Sequence, residues 1–171
     1  MRKVVLGLAI SLDGFIEGPN GEYDWCFTDQ DYGMADFLSK IDALLMGRKT
    51  YEVVAAQGDV SPWKGMMTYV FSGTLSSVRT PETELVHGDA VRAVSAIRSR
   101  PGKDIWLFGG AQLTTSLMEA GLVDELWLSV HPILLGSGKP LFRHMDTRRV
   151  LRLLESKSYD TGLVSLKYAF G

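Results

Sequence analysis

Ala43-Leu44-Leu45-Met46-Gly47-Arg48-Lys49-Thr50 and Ile105-Trp106-Leu107-Phe108-Gly109-Gly110-Ala111-Gln112-Leu113 carry one message in different residues. In each, four apolar residues run into glycine, and an amphipathic stretch begins just after it. A short apolar run closed by glycine reads as a buried strand, and the stretch behind it as a helix. Each segment therefore predicts a strand, a glycine turn and a helix. Such a turn aims free backbone N–H groups, and the positive end of a helix dipole, at whatever lies above it. Phosphate is the ligand that suits it. Two such turns in one small protein suit a ligand with separated phosphates, such as a dinucleotide.

Working outward, Val4 to Leu12 is almost continuously apolar, as a central strand covered on both faces requires. Asp13-Gly14 ends it, Gly18-Pro19-Asn20-Gly21 is turn chemistry, and Asp29 or Asp31 caps a helix reaching about Lys40. A loop is expected around Gly58 to Gly65, then strands at Thr68–Phe71 and Glu84–Val86. Asp89 caps a helix that carries Val91, Val94 and Ile97 along one stripe. Gly121 sits where a left-handed C-cap belongs, with Leu122 placed to pack back on Leu117. Glu125–Val130, Val150–Ser156 and Leu163–Phe170 are further strands; the last alternates apolar and polar residues as an antiparallel strand with one wetter face does. The expectation is α/β: one domain over residues 1–171, with a central, mainly parallel sheet of about eight strands. Helices flank the sheet, and an antiparallel C-terminal hairpin closes it through Asp160-Thr161-Gly162.

Composition removes several classes. The net charge of −2 leaves no basic footprint for nucleic acid. Cys26 is the only cysteine, so no internal disulfide forms, and one cysteine with three histidines is a poor metal set; no metal site is expected. The N-terminal apolar run is too short and too broken by Gly7 for a signal peptide, and no segment is long enough to span a membrane, so a cytoplasmic protein is expected. Gly136-Ser137-Gly138-Lys139 fails as a phosphate loop, because Ile133 stands where its first glycine belongs. Gly109-Gly110 lacks the spaced glycines of a standard Rossmann turn, and there is no Gly-x-Ser-x-Gly elbow. His87, His131 and His144 are far apart and read as structural or surface histidines.

Arg48 and Lys49 stand at a helix start, where cations oppose the dipole. They either solubilise that surface or meet a bound anion. Ser72 and Thr74, just past a strand end, offer hydroxyls to a phosphate or to an ordinary turn. Asp13 ends a central strand, where open α/β sheets place their ligand crevice, and it also suits a turn before Gly14.

The run Leu45-Met46-Gly47-Arg48-Lys49-Thr50-Tyr51-Glu52 resembles the Met-Gly-Arg-x-Thr-(aromatic)-Glu segment of dihydrofolate reductases, and Phe108-Gly109-Gly110 resembles their second cofactor turn. Ser11-Leu12-Asp13-Gly14, Gly110-Ala111-Gln112-Leu113, Leu122-Val123-Asp124-Glu125-Leu126 and Pro132–Gly138 are more like the reductase domain of the riboflavin-biosynthesis deaminase-reductase, the RibD C-terminal family. No zinc-binding deaminase signature accompanies them. The resemblance implies a dihydrofolate reductase-like fold and NADPH-dependent hydride transfer to a C=N or C=O carbon of a pterin-like or ribosylaminopyrimidine-like substrate. A non-catalytic NADP(H)-binding protein that kept the cradle is the alternative.

By position, the resemblance implies that Gly47, Arg48, Lys49 and Thr50 hold the pyrophosphate and the adenosine 2′-phosphate. Phe71, Ser72 and Gly73 lie along the adenosine, Phe108, Gly109, Gly110, Ala111, Gln112 and Leu113 cover the other end, and Ala9 and Ile16 border the nicotinamide. For the acid, a gap-free count of sixteen positions back from Gly47 gives Asp31, the helical pattern also allows Asp36, and Asp13 is favoured by its strand-end location. A homodimer is expected from the family, from the apolar strand content after Glu125, and from Ile133, Leu134, Leu135, Leu141 and Phe142 crowding one loop.

Overall fold

The computed structural model describes residues 1–56, 63–79, 82–142 and 148–171. β1 (Val4–Ser11) leads through β2 (Phe15–Glu17) and a long loop to α1 (Met34–Ser39), β3 (Ile41–Gly47) and α2 (Arg48–Ala56). β4 (Met67–Phe71), β5 (Thr83–Val86), α3 (Ala90–Arg98), β6 (Asp104–Gly109) and α4 (Ala111–Glu119) follow. β7 (Glu125–His131), β8 (Lys139–Pro140), β9 (Leu151–Ser158) and β10 (Val164–Phe170) complete the order.

Eight strands form the main sheet in the order β5-β4-β3-β6-β1-β7-β10-β9. The six from β5 to β7 run parallel; β10 pairs antiparallel with β7, and β9 antiparallel with β10. Strict alternation along the parallel strands divides the core into two layers. Val4, Leu6, Ala43, Leu45, Ile105 and Leu107 pack against Val94 and Ile97 of α3 and Leu113 and Leu117 of α4. Val5, Leu44, Met46, Val70 and Trp106 pack against Phe37 of α1 and Tyr51 of α2. Strands buried on both faces need apolar residues at both parities, which is why they read as continuous apolar runs.

The fold is the dihydrofolate reductase-like one the sequence implies, with local differences. The α1 helix is shorter than expected and begins after Tyr32 and Gly33, both at positive φ (49° and 86°), a kink that no helix accommodates. A two-stranded β2–β8 ribbon adds two strands that were not anticipated, since pieces of three and two residues carry no readable period. The hairpin strand β9 runs to Ser158 rather than Ser156. Asp89 caps α3 by accepting from the Val91 and Arg92 amides. Gly121 is left-handed at φ 66°, with the Leu122 amide bonded to the Leu117 carbonyl at 2.9 Å. Part of the expected Gly58–Gly65 loop, and His144, lie outside the described residues. No described helix is long and apolar enough to cross a membrane.

After β1 the chain skips one position to β3, moves outward through β4 and β5, and returns to fill the gap with β6. β7 then extends the sheet on the other side of β1. Crossovers part at this point, and a crevice is left beyond the C-terminal ends of the strands.

Candidate active site

At that edge the two glycine turns meet. β3 and β6 are parallel neighbours with Met46 paired to Gly109, while Gly47 pairs with Phe71 of β4. A Cβ added to Gly110 would lie 3.4 Å from the Cα and N of Gly47 and 3.5 Å from Thr50 Oγ1. Gly110 has φ 94° and Gly109 φ 139°, conformations that favour glycine. Both helices start here: α2 begins immediately after Gly47, and α4 after Gly110. The first bond of α4 runs from the Thr114 amide to the Gly110 carbonyl at 2.9 Å. The amides of Ala111, Gln112 and Leu113 precede it, at the open end of the dipole.

The side chains around this cradle differ in what they can offer. Ala111 and Leu113 are buried in the core, so only their backbone can face a ligand, whereas Gln112 is exposed. Phe108 is half-buried and rests on Trp63 and Trp106, with ring centroids 4.7 and 4.9 Å away. Arg48 forms an exposed i,i+4 ion pair with Glu52 at 2.8 Å, Lys49 is exposed, and Thr50 is half-buried against Gly110. Ser72 Oγ accepts the Thr74 and Leu75 amides at 3.1 and 3.0 Å, so the turn uses its lone pairs and leaves its hydrogen to donate. Phe71 is half-buried and Gly73 stands in open space. Ala9 on β1 and Ile16 on β2 are half-buried, the former paired with Ser129.

The three carboxylates separate. Asp36 lies in a groove with Val5, Asp104 and Glu125, residues near the starts of β1, β6 and β7, at the edge opposite the glycine turns. It pairs with Lys40 at 2.6 Å, and that bond holds its carboxyl below the usual range. Asp13 accepts the Ser11 hydroxyl at 2.7 Å and the Gly136 and Leu135 amides at 2.8 and 3.1 Å, and these bonds likewise keep it ionised below the ordinary range. That suits a loop clamp better than a proton donor. Asp31 accepts the Gly33 and Ala35 amides at 3.0 and 2.9 Å and starts α1 from two residues before its N-cap Gly33.

Across β1 from the glycine turns, the loop from Gly18 to Gly33 is tied to the sheet at points that one-dimensional reading passes over. His131, at the end of β7 and paired with Ser11, accepts the Phe27 amide on Nε2 at 3.0 Å. The Tyr32 hydroxyl donates to Asp29 at 2.7 Å and lies 3.1 Å from Thr161 Oγ1 in the β9–β10 turn. These partners are 104 and 129 positions apart in the chain, so no local signal marks them.

A mainly parallel sheet with two touching glycine turns at β3 and β6 defines the dihydrofolate reductase-like class. Within it, the sequence model of the RibD C-terminal domain matches residues 2–165, and the chain belongs to that family of reductases. Uncharacterized protein YyaP of Bacillus subtilis is 40% identical over 178 residues, spanning 98% of this chain and 94% of the relative. A dihydrofolate reductase of Cryptococcus neoformans is 31% identical over 125 residues, spanning 71% of this chain and 54% of that protein. A crystal structure from Shewanella sp. PV-4, of a protein named for riboflavin biosynthesis, superposes with a TM-score of 0.87 at 25% identity, covering 100% of this chain and 99% of the other.

Proposed function

We propose that residues 1–171 form one NADPH-dependent reductase domain, acting on a pterin-like or ribosylaminopyrimidine-like heterocycle. The observation that carries this reading is the contact between the Gly47 and Gly110 turns, close enough that a Cβ on Gly110 would touch the Gly47 backbone at 3.4 Å, which puts two helix starts side by side. A pyrophosphate spanning both starts would take the Ala111, Gln112 and Leu113 amides on one side and the Gly47–Thr50 turn on the other. Arg48 can exchange its exposed partner Glu52 for a 2′-phosphate, with Lys49 beside it and the Ser72 hydroxyl donating from the end of β4. Phe71 and Gly73 would flank the adenosine, Phe108 and Gly109 the pyrophosphate, and Ala9 and Ile16 the nicotinamide. Bound there, NADPH supplies a hydride to a C=N or C=O carbon.

Reduction of such a group also needs a proton. Asp36 stands at the wrong edge and Asp13 clamps the Leu135–Gly136 loop, so in our reading Asp31 serves the proton transfer, its carboxylate orienting a water that gives the proton. A homodimer is part of the same proposal, supported by an apolar surface: Leu134 is 70% exposed, Leu153 51% and Phe142 41%. The edge strand β9 is exposed along its whole length, and such edges are normally covered or paired.

NADPH oxidation against dihydrofolate, dihydropterins and the riboflavin-pathway ribosylaminopyrimidine tests the reading, with Asp31→Asn and Asp36→Asn beside the wild type. Turnover should fall in Asp31→Asn and persist in Asp36→Asn. NADPH binding without turnover on any of them would favour the non-catalytic binding protein. No NADPH binding would sink both.

A further inference from the structure

We propose that His131 is a positioning residue that latches the loop of residues 18–33 over the substrate end of the sheet, through an uncharged imidazole. That this end of the sheet receives substrate rests on the reductase reading; the latch itself rests on geometry.

His131 is 2% exposed and sits at the C-terminal end of β7, one strand from β1. Nδ1 lies 2.9 Å from the Ser129 carbonyl, which can only accept, so Nδ1 carries the proton. Nε2 lies 3.0 Å from the Phe27 amide, which can only donate, so Nε2 must be bare. One neutral tautomer satisfies both neighbours. The imidazolium would set N–H against N–H. The loop also closes over the ring: Trp25 and Phe27 pack edge-on at centroid distances of 5.3 and 5.0 Å.

The far end of the loop is fixed independently. Tyr32 is the one described residue other than glycine with positive φ, and it keeps that conformation under its bonds to Asp29 and Thr161 and its edge contact with Tyr159 at 4.9 Å. Strain of this kind persists only where the surroundings over-determine it. Between the two fixings the loop has no regular structure, and the Phe27 amide bond ties it to His131 at the end of β7.

Other titratable groups stand on the elements packed around the latch. On β1's end, Asp13 is ionised on the Leu135 and Gly136 amides. On the loop, Glu22 is bonded to Asn20, Asp29 to Tyr32, and the Cys26 thiol is pushed up to about 11 by burial and by Asp24. Tyr23 and Tyr32 are phenols, Asp31 accepts the Gly33 and Ala35 amides at the start of α1, and Tyr159 and Asp160 belong to the hairpin turn. Burial lowers the His131 pKa, in keeping with a ring held neutral.

Amide exchange at Phe27, read by NMR or mass spectrometry and corrected for intrinsic rate, tests this. Protection should be present at neutral pH and fall by up to about tenfold per pH unit below about 6.5, because opening then takes up one proton. His131→Gln keeps a neutral acceptor and should remain protected without that pH dependence. His131→Phe should be unprotected at every pH. Protection in the wild type that ignores pH through the ring's own titration, followed by its Cε1 proton resonance, would overturn the latch even if both variants misfold. In turnover, loss of the latch should raise KM for the heterocycle and spare kcat. Exchange that changes while KM does not would overturn the loop's place at the substrate. Failure of the wild type to bind NADPH would instead remove the reductase reading and leave the exchange result standing.

Discussion

Replacing Gly110 by alanine, and then by valine, separates the two reasons for glycine at the junction of the turns. With φ 94° and ψ 108°, Gly110 lies outside the small left-handed well open to other residues. An L-residue there costs on the order of 1–3 kcal/mol from backbone strain alone. The added Cβ stops 3.4 Å from Gly47 Cα and N, so alanine adds little crowding to that strain. Valine must drive a methyl further toward a backbone that cannot rotate away, which adds about 1–3 kcal/mol of overpacking. Gly109→Ala is the control for strain without crowding, since φ is 139° and nothing lies within 4 Å of its Cβ. Gly73→Ala, also in open space, should leave stability unchanged.

Urea denaturation of the four variants gives the stability order Gly73→Ala, then Gly109→Ala and Gly110→Ala together, then Gly110→Val. Titration by nicotinamide fluorescence should show NADPH and NADH weakened alike at Gly110, because both carry the same pyrophosphate. A wild-type denaturation midpoint for Gly110→Val would refute the contact between the turns. The expected destabilisation with undiminished binding of both cofactors would refute the cradle.

Arg48→Ala should weaken NADPH by roughly 1.5–3 kcal/mol, the range for a hydrogen bond to a charged group, with the exposed site favouring the low end. NADH should change far less; equal losses would show that Arg48 does not read a 2′-phosphate. Stability should also depend on pH through His131. Its folded pKa is below the free value, so the unfolded chain binds more protons, and stability present above about 6.5 is lost as pH falls below it. Urea midpoints between pH 5 and pH 8 should slope for the wild type and flatten for His131→Gln. Asp13 and Asp36, both lowered, contribute in a separate window, lost only as pH falls through the carboxylate range. Light scattering at micromolar concentration should give twice 18.9 kDa; a mass of 18.9 kDa would end the dimer proposal.

The strand–glycine–helix pairs, the buried β1 run, the Asp89 cap and the Gly121 C-cap were legible because each is a local matter: hydrophobic period, turn chemistry and dipole act over a few neighbouring residues. From these and the motif around Gly47-Arg48 follow the α/β sheet, its antiparallel hairpin and the family. Contact between Gly47 and Gly110 was not legible, because it depends on β6 returning to the gap beside β3. Nor were the fates of the acidic residues: Asp13, Asp31 and Asp36 are alike in the sequence, and only packing sends one to a distant loop, one to a helix start and one to the opposite edge. His131 has the ordinary look of an isolated histidine until Phe27, 104 positions away, donates to it. Short-range preferences are written in consecutive residues, whereas a hydrogen-bond partner across the sheet is chosen by strand order and register, which arise only when the whole chain has folded.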